Sequence, residues 1–322
     1  MAKKVIKKHL VIGGAGFIGS HLSNALLAKG NKVIVIDSVP FKRAEIKAYT
    51  IHINDAKKVG RVFKKEKPDV VFHLAGAMSL RKSSQDSLFS KDFDFLYRTA
   101  IILDACKKYQ VKKIVFVSSG GALYENANII PTSEEYPVNP NSLYGIANLM
   151  MEKYIASYCT HNGIDFTIPR VSNAYGPRQW QTGFIPVAII KMLKKESPVI
   201  YGSGKQTRDF VYIDDVVEAL IILAQKSISR KATGNSEISR DKNSIYNIGS
   251  GTETSLNEVL MLVKDLLGVK IEVNYKSPSM LETQRSVLDI KKIKKAFGWY
   301  PKTNIKKGLL QTIEWYKENE GD

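Results

Sequence analysis

Cysteine is almost absent from this chain: Cys106 and Cys159 are the only two in 322 residues, each in a stretch of helical pattern. That excludes a disulfide-stapled secreted domain and leads us to expect a reducing, cytoplasmic setting. Long apolar runs are missing as well. None crosses a hydrocarbon core without a charge or turn residue, so no membrane helix is expected. Met1-Ala2-Lys3-Lys4-Val5-Ile6-Lys7-Lys8 begins basic, but its apolar stretch runs straight into a glycine-rich turn, and it reads as a lysine-flanked first strand rather than a targeting segment. Histidine is scarce. His9, His21 and His161 show no metal-ligand spacing with Cys or acidic residues, so no metal is expected, and His73, following a buried strand, reads as a packing or hydrogen-bonding residue. Acidic residues are outnumbered: 31 Asp and Glu against 48 Lys and Arg give a formal charge of +17. Such a charge attracts polyanions when it is clustered. Here Lys64, Lys65, Lys107, Lys108, Lys194, Lys195, Lys291, Lys292, Lys294 and Lys295 are scattered over helix positions of solvent type, so we expect a solvated surface and no nucleic-acid partner.

What is present is a regular alternation. Short Val- and Ile-rich runs at 9–12, 32–36, 70–74, 113–118 and 166–170 are separated by helical patterns at 19–29, 56–65, 93–109 and 144–161. Runs buried on both faces and joined through helices predict an α/β fold, a Rossmann-like doubly wound parallel sheet. From about Asn173 the pattern loosens, with helices expected at 184–195, 214–225 and 255–267 and a strand at 244–248. This predicts a smaller C-terminal α/β domain. The polar stretch 226–243 has no periodic apolar pattern and reads as an exposed excursion.

The sharpest motif is Leu10-Val11-Ile12 running into Gly13-Gly14-Ala15-Gly16-Phe17-Ile18-Gly19, with a helix opening behind it. Glycines at 13, 16 and 19 give a tight turn, close backbone approach to a pyrophosphate and close packing of helix on strand, and the helix amino terminus supplies N–H donors to phosphate. Asp37, at the end of the next strand, lies at the separation from which an acid takes the adenosine ribose hydroxyls. Its charge repels a 2′-phosphate, favouring NAD over NADP, although Lys42 and Arg43 lie close in sequence. We therefore place an NAD-binding domain at 1–172, with part of 214–250 returning to it, and an interleaved substrate-binding domain at 173–322.

The chain resembles the extended short-chain dehydrogenase/reductases, and among them the UDP-glucose 4-epimerase-like members. The likeness rests on Gly13–Gly19 with Asp37 and on Asp69-Val70-Val71-Phe72-His73-Leu74-Ala75-Gly76. It extends through Ser118-Ser119-Gly120-Gly121-Ala122-Leu123-Tyr124, Ser142-Leu143-Tyr144-Gly145, Asn173-Ala174-Tyr175-Gly176-Pro177-Arg178, Gln206-Thr207-Arg208-Asp209-Phe210-Val211-Tyr212 and Tyr246-Asn247-Ile248-Gly249. The resemblance implies a nucleotide-sugar enzyme that passes through a keto sugar, with Tyr144 exchanging the proton of a sugar hydroxyl and Ser119, favoured over Ser118, as its hydroxyl partner. It implies cofactor contacts at Gly13, Gly16, Phe17, Ile18, Gly19, Asp37, His52, Ile53, Leu74, Ala75, Gly76, Ser118, Tyr144, Asn148 and Val171. Substrate contacts are implied at Ser83, Tyr124, Asn173, Arg178, Arg208 and Arg285, a guanidinium being suited to paired phosphate oxygens. It also implies a homodimer in which the helix bearing Phe93, Phe95 and Tyr97 and the helix of Tyr144 pack against a twin.

Several positions depart from the pattern. Similar proteins place a lysine four residues after the tyrosine, on the same helical face; here it is Asn148. A cation about 4 Å from a phenol, at an effective dielectric of roughly 20, is worth on the order of 4 kcal/mol, or about three pKa units at most. Without it Tyr144 should stay mostly protonated at neutral pH. Three explanations stand open: weak catalysis, a substitute cation such as Arg98 or Lys153, or a deliberate replacement of the lysine. Gly120 stands where Ser or Thr is common, Phe95 where Asn is common, Arg98-Thr99 where Gly-Thr is common, and His52 where an Asp often reaches the adenine amine. Ser279-Met280-Leu281-Glu282 replaces an Arg-Pro-Gly-Glu stretch, removing one expected phosphate or ribose contact. An NAD-dependent C4 epimerase of a UDP-sugar is the leading expectation. A catalytically impaired homologue that binds NAD and a nucleotide sugar is the alternative, and a dehydratase or reductase ranks lower because Gly120-Gly121 lacks an Asp-Glu pair.

Overall fold

The fold comes from a computed structural model that describes residues 7–75, 88–125, 127–179, 183–225, 244–278 and 283–319, with the backbone alone at 88–93. Gly76, Ser83, the stretches 226–243 and 279–282, and the Phe93 side chain lie outside the described residues. The chain divides into two compact units. The first comprises Met1–Leu123, Pro140–Arg170 and Val217–Tyr246, the second Tyr124–Asn139, Val171–Val216 and Asn247–Asp322.

In the first unit the Val- and Ile-rich runs form strands β1 (Lys8–Ile12), β2 (Lys32–Asp37), β4 (Val70–His73), β5 (Lys113–Phe116) and β7 (Asp165–Val171), with β3 at Lys47–Thr50. The sheet order is β12-β7-β5-β4-β1-β2-β3, where β12 is Ile245–Ile248, and β6 (Ser118–Ser119) pairs with β7 off this path. The pairs β3-β2, β2-β1, β1-β4, β4-β5 and β5-β7 are all parallel. Strand order therefore reverses between β1 and β4, and a crevice opens there beyond the carboxyl ends of the strands, where folds of this kind bind ligands.

Local chemistry sets the helices. In α1 (Phe17–Ala28), Leu22 and Leu26 are buried. In α2 (Ala56–Glu66), Val59, Val62 and Phe63 are buried; Asp55 caps its start by accepting from the Lys58 amide, and Lys67 closes it at φ +47. Helix α3 (Leu88–Lys108) is followed by the short α4 (Gly120–Leu123) and by α5 (Leu143–Asn162). Ser142 accepts from the Gly145 amide at the start of α5, and Gly163 ends that helix at φ +69. Midway along α5, Glu152 takes the Arg170 guanidinium through Nε–H to Oε1 (3.0 Å) and Nη2–H to Oε2 (2.7 Å), both side chains buried. This paired contact holds α5 to β7, and breaking it would leave a lone buried charge. Cys106 and Cys159 are buried free thiols in the apolar core. The scattered lysines are exposed, apart from a half-buried Lys292. Among the described residues no helix is long and apolar enough to cross a membrane.

His73, at the end of β4, is fully buried and its Nε2 lies 3.0 Å from the Thr99 hydroxyl. Burial pushes its pKa down to about 4, and does the same at His9. Between the ordinary value of 6.5 and about 4, the unfolded chain binds the proton and the folded chain does not. Stability must therefore fall as pH drops through that window, by up to about 3 kcal/mol per histidine. Urea midpoints from pH 7 to 4.5 should decline steadily, and His73→Leu should flatten the decline; an unchanged slope in that variant would remove His73 from the account.

Among the described residues the second unit holds three small sheets: β8 (Asn173–Tyr175) parallel to β11 (Phe210–Tyr212), β9 (Val199–Tyr201) parallel to β14 (Asn274–Lys276), and β10 (Thr207–Arg208) antiparallel to β13 (Thr254–Ser255). Helices α6 (Phe184–Leu193) and α8 (Leu256–Leu267) stand where expected, the latter opened by a capping box from Ser255 and Glu258. Helix α7 (Ile213–Gln225) runs from this unit into the first. Two further helices, α9 (Lys291–Phe297) and α10 (Ile305–Glu318), correct the expectation of only three after Asn173. Residues 124–139, expected within 1–172, also belong to this unit. Thr132 exchanges backbone hydrogen bonds with Val287 and Asp289, and the Tyr124 hydroxyl donates to Asn247 Oδ1 at 3.3 Å.

Candidate active site

In the first unit the glycine loop leaves β1 and turns into α1. Gly13 sits at φ +83, where a methyl would stand 2.8 Å from the Ala75 amide nitrogen, and a methyl on Gly19 would overlap the Gly13 carbonyl. The loop thus passes close to the chain leaving β4, and only glycine allows it. The first turn of α1 has no side-chain cap and no acidic residue, so its N–H groups remain available to an anion. The Asp37 carboxylate is fixed by two backbone donors, Ala15 N–H to Oδ2 at 2.9 Å and Val39 N–H to Oδ1 at 3.2 Å. A cavity of about 170 Å³ is lined by Gly13, Ile36, Asp37, Ser38, Ile51, His52, Ile53, Ala75 and Arg98. Glycines with no room for a side chain, free helix N–H groups and an oriented carboxylate fit a dinucleotide's pyrophosphate and ribose. Leu74 leaves β4 with its amide donating to the Ile12 carbonyl at 3.0 Å.

Elsewhere in the same unit, the sequence brings a phenol, a hydroxyl and an amide together. Gly145 follows Tyr144, and a methyl there would sit 2.5 Å from the Ala122 carbonyl oxygen, so the start of α5 presses directly on the segment after β6. The Ser119 and Asn148 side chains both hydrogen-bond Tyr144, and the Asn148 amide also donates to the Tyr144 carbonyl at 2.8 Å. Ser118 is instead buried, its hydroxyl without a hydrogen-bond partner among the described residues. Burial raises the Tyr144 phenol above the usual value, and the two hydrogen bonds oppose that rise without cancelling it. No cation acts on the phenol among the described residues: Arg98 pairs with Asp94 and lines the cavity named above, while Lys153 is exposed.

In the second unit, β8 and β11 carry the other predicted contacts. The Asn173 amide donates to the Asp209 carbonyl at 3.3 Å, and Arg178 stands in the left-handed region at φ +62. One Arg208 nitrogen donates to the Thr207 and Thr283 carbonyls at 2.8 and 2.7 Å, which anchors the guanidinium to the backbone. Arg285 makes a paired contact with Glu253 at 2.8 and 2.6 Å. Val171, at the end of β7, and Tyr124 are buried. Sequence reasoning missed the role of Asp209: fully buried, it accepts from the Ser250 amide (2.6 Å), the Ser250 hydroxyl (2.7 Å), the Ser172 hydroxyl (3.2 Å) and the Leu288 amide (3.2 Å). Its signal was an acid placed before the apolar run Phe210-Val211-Tyr212. Arg98 was the other omission, named as a spare cation and not as part of the dinucleotide cavity.

This geometry has relatives. The profile of the NAD dependent epimerase/dehydratase family matches residues 9–249. A Methanocaldococcus jannaschii protein provisionally named a UDP-glucose 4-epimerase is 38% identical, over 96% of this chain and 98% of its own. The crystal structure of a Thermotoga maritima UDP-glucose 4-epimerase with UDP-glucose superposes with a TM-score of 0.87 at 34% identity, covering 97% of this chain and 99% of the other. A Thermus thermophilus UDP-glucose 4-epimerase in complex with NAD gives a TM-score of 0.85 at 31% identity, over 96% and 99%. The chain belongs to the NAD-dependent epimerase/dehydratase family, and its cofactor is NAD.

Proposed function

We propose that the protein is an NAD-dependent nucleotide-sugar 4-epimerase, with a UDP-sugar as substrate. The observation that carries this reading is the Tyr144 phenol held by Ser119 and Asn148 in the same unit as the dinucleotide crevice. Relatives named UDP-glucose 4-epimerases, similar along nearly the whole chain, support it. When bound, NAD supplies the hydride acceptor and donor. Tyr144 takes the proton of the sugar 4-hydroxyl and returns it after the keto sugar has turned over, and Ser119 hydrogen-bonds the same oxygen. Asn148 orients the phenol but brings no positive charge to it. Asn173, Arg178, Arg208 and Arg285 are proposed ligands of the substrate diphosphate, and Arg285 would have to leave Glu253 to serve. The exposed apolar residues Tyr97, Leu143, Ile146 and Tyr154 on α3 and α5 support a homodimer through these helices. A cytoplasmic location and a place in polysaccharide synthesis belong to the same reading.

The absent cation favours one second reading, an impaired homologue that binds NAD and a nucleotide sugar without turnover. Purified protein incubated with NAD and UDP-glucose from pH 6 to 10, with product sugars and NADH absorbance followed, separates the two. Under the epimerase reading UDP-galactose appears, faster at higher pH, and light scattering reports twice the mass of one chain. NAD binding without product at any pH transfers the case to the impaired homologue.

A further inference from the structure

Helix α3 places Arg98 at the wall of the dinucleotide cavity, and its register there is fixed from the other side. The neighbouring Thr99 is fully buried, with its hydroxyl donating to the Phe95 carbonyl at 2.9 Å and meeting His73 at 3.0 Å. Arg98 is the one arginine or lysine among the residues lining the cavity, where it stands with Gly13, Asp37, His52 and Ala75. Its guanidinium pairs with Asp94 one turn earlier on the same helix. Its Nε, by contrast, is buried and has no hydrogen-bond partner among the described residues. The nearby Asp37 carboxylate does not serve it, being held by the Ala15 and Val39 amides. A buried guanidinium N–H lacking an acceptor is unfavourable, and the acceptor that suits the planar fork best is a pair of phosphate oxygens.

We propose that Arg98 is a phosphate ligand of the bound dinucleotide, acting with the free N–H groups at the start of α1. The cation missing next to Tyr144 is then not replaced from α3. Arg98 works at the binding end of the site, on affinity, and leaves the phenol unassisted.

Calorimetric titration of the full chain with NAD, ADP, NADP and adenosine tests this without reading turnover. Arg98→Ala and the stem-preserving Arg98→Gln, each first checked for an intact fold by circular dichroism, should weaken NAD and ADP by about 10- to 100-fold, the range for a charge-assisted hydrogen bond. Adenosine, which has no phosphate, should change by less than about twofold, and the salt dependence of NAD binding should become shallower. Losses on NAD and ADP place the contact on the pyrophosphate, whereas a loss confined to NADP, whose 2′-phosphate NAD lacks, would overturn the proposal. Adenosine losing as much as NAD in both variants, or no ligand losing affinity, would overturn the assignment.

Discussion

Asn148→Lys should raise turnover at pH 7 by about two orders of magnitude and shift the pH–rate profile toward neutrality. In the wild type, burial lifts the Tyr144 phenol above its usual value, and hydrogen bonds from Ser119 and Asn148 only partly offset that. The base form is then scarce at pH 7, and the rate should climb about tenfold per pH unit on the alkaline side while ionised phenol is limiting. An ammonium within about 4 Å can lower a phenol by up to roughly three pKa units at an effective dielectric near 20. The variant's profile should therefore level off at lower pH. The substitution carries a cost: position 148 is 1% exposed, and an ammonium must enter where a neutral amide stands. The Tyr144 carbonyl that now accepts from Asn148 can accept a hydrogen bond from one ammonium N–H. Without cofactor the variant should melt a few degrees lower, and saturating NAD should raise the melting temperature of both proteins through binding to the folded state. Stopped assays across pH 6–10 decide the matter. A variant no faster at pH 7, with a profile still rising to pH 10, would show that the field at Tyr144 does not limit the reaction.

The parts of the molecule that were legible in sequence are those whose cause is local. Buried parallel strands announce themselves as unbroken Val and Ile runs, and Gly13, Gly19 and Asp37 announce the dinucleotide end because their spacing is that of one strand–turn–helix–strand unit. Strand β3 was not legible because it lies at the sheet edge, largely exposed, so Lys47-Ala48-Tyr49-Thr50 shows no apolar alternation. Helix α9 reads as a charge cluster, since Lys291, Lys292, Lys294 and Lys295 surround a single buried Ile293. The transfer of 124–139 to the second unit could not be read at all. Its cause is the pairing of Thr132 with Val287 and Asp289, far along the chain, and no nearby residue encodes that. Ser119 illustrates the opposite case: alternation along β6 turns Ser118 inward and leaves its neighbour half-buried, next to Tyr144.

Tyr144→Phe should lower kcat by about 10²- to 10⁴-fold, the usual worth of a positioned acid–base group, with KM and NAD affinity changed by less than about threefold. The structure allows so clean a separation because the phenol oxygen is peripheral to what holds the fold. Asn148 keeps its hydrogen bond to the residue 144 carbonyl, Gly145 keeps its approach to Ala122, and the buried Glu152–Arg170 pair lies about two turns further along α5. The Ser119 hydroxyl is only half-buried and can turn to water, so stability should change by no more than about 1 kcal/mol. The comparison belongs at pH 9, where the wild type has more ionised phenol and the loss is easiest to measure. Combining the change with Asn148→Lys sharpens it. A lysine acts on catalysis only through the phenol, so the gain from Asn148→Lys should vanish once Tyr144→Phe is also present, a non-additivity expected of groups that act as a unit. If the lysine still accelerates turnover in the double variant, the proton is carried by another group and Tyr144 serves only to position the sugar.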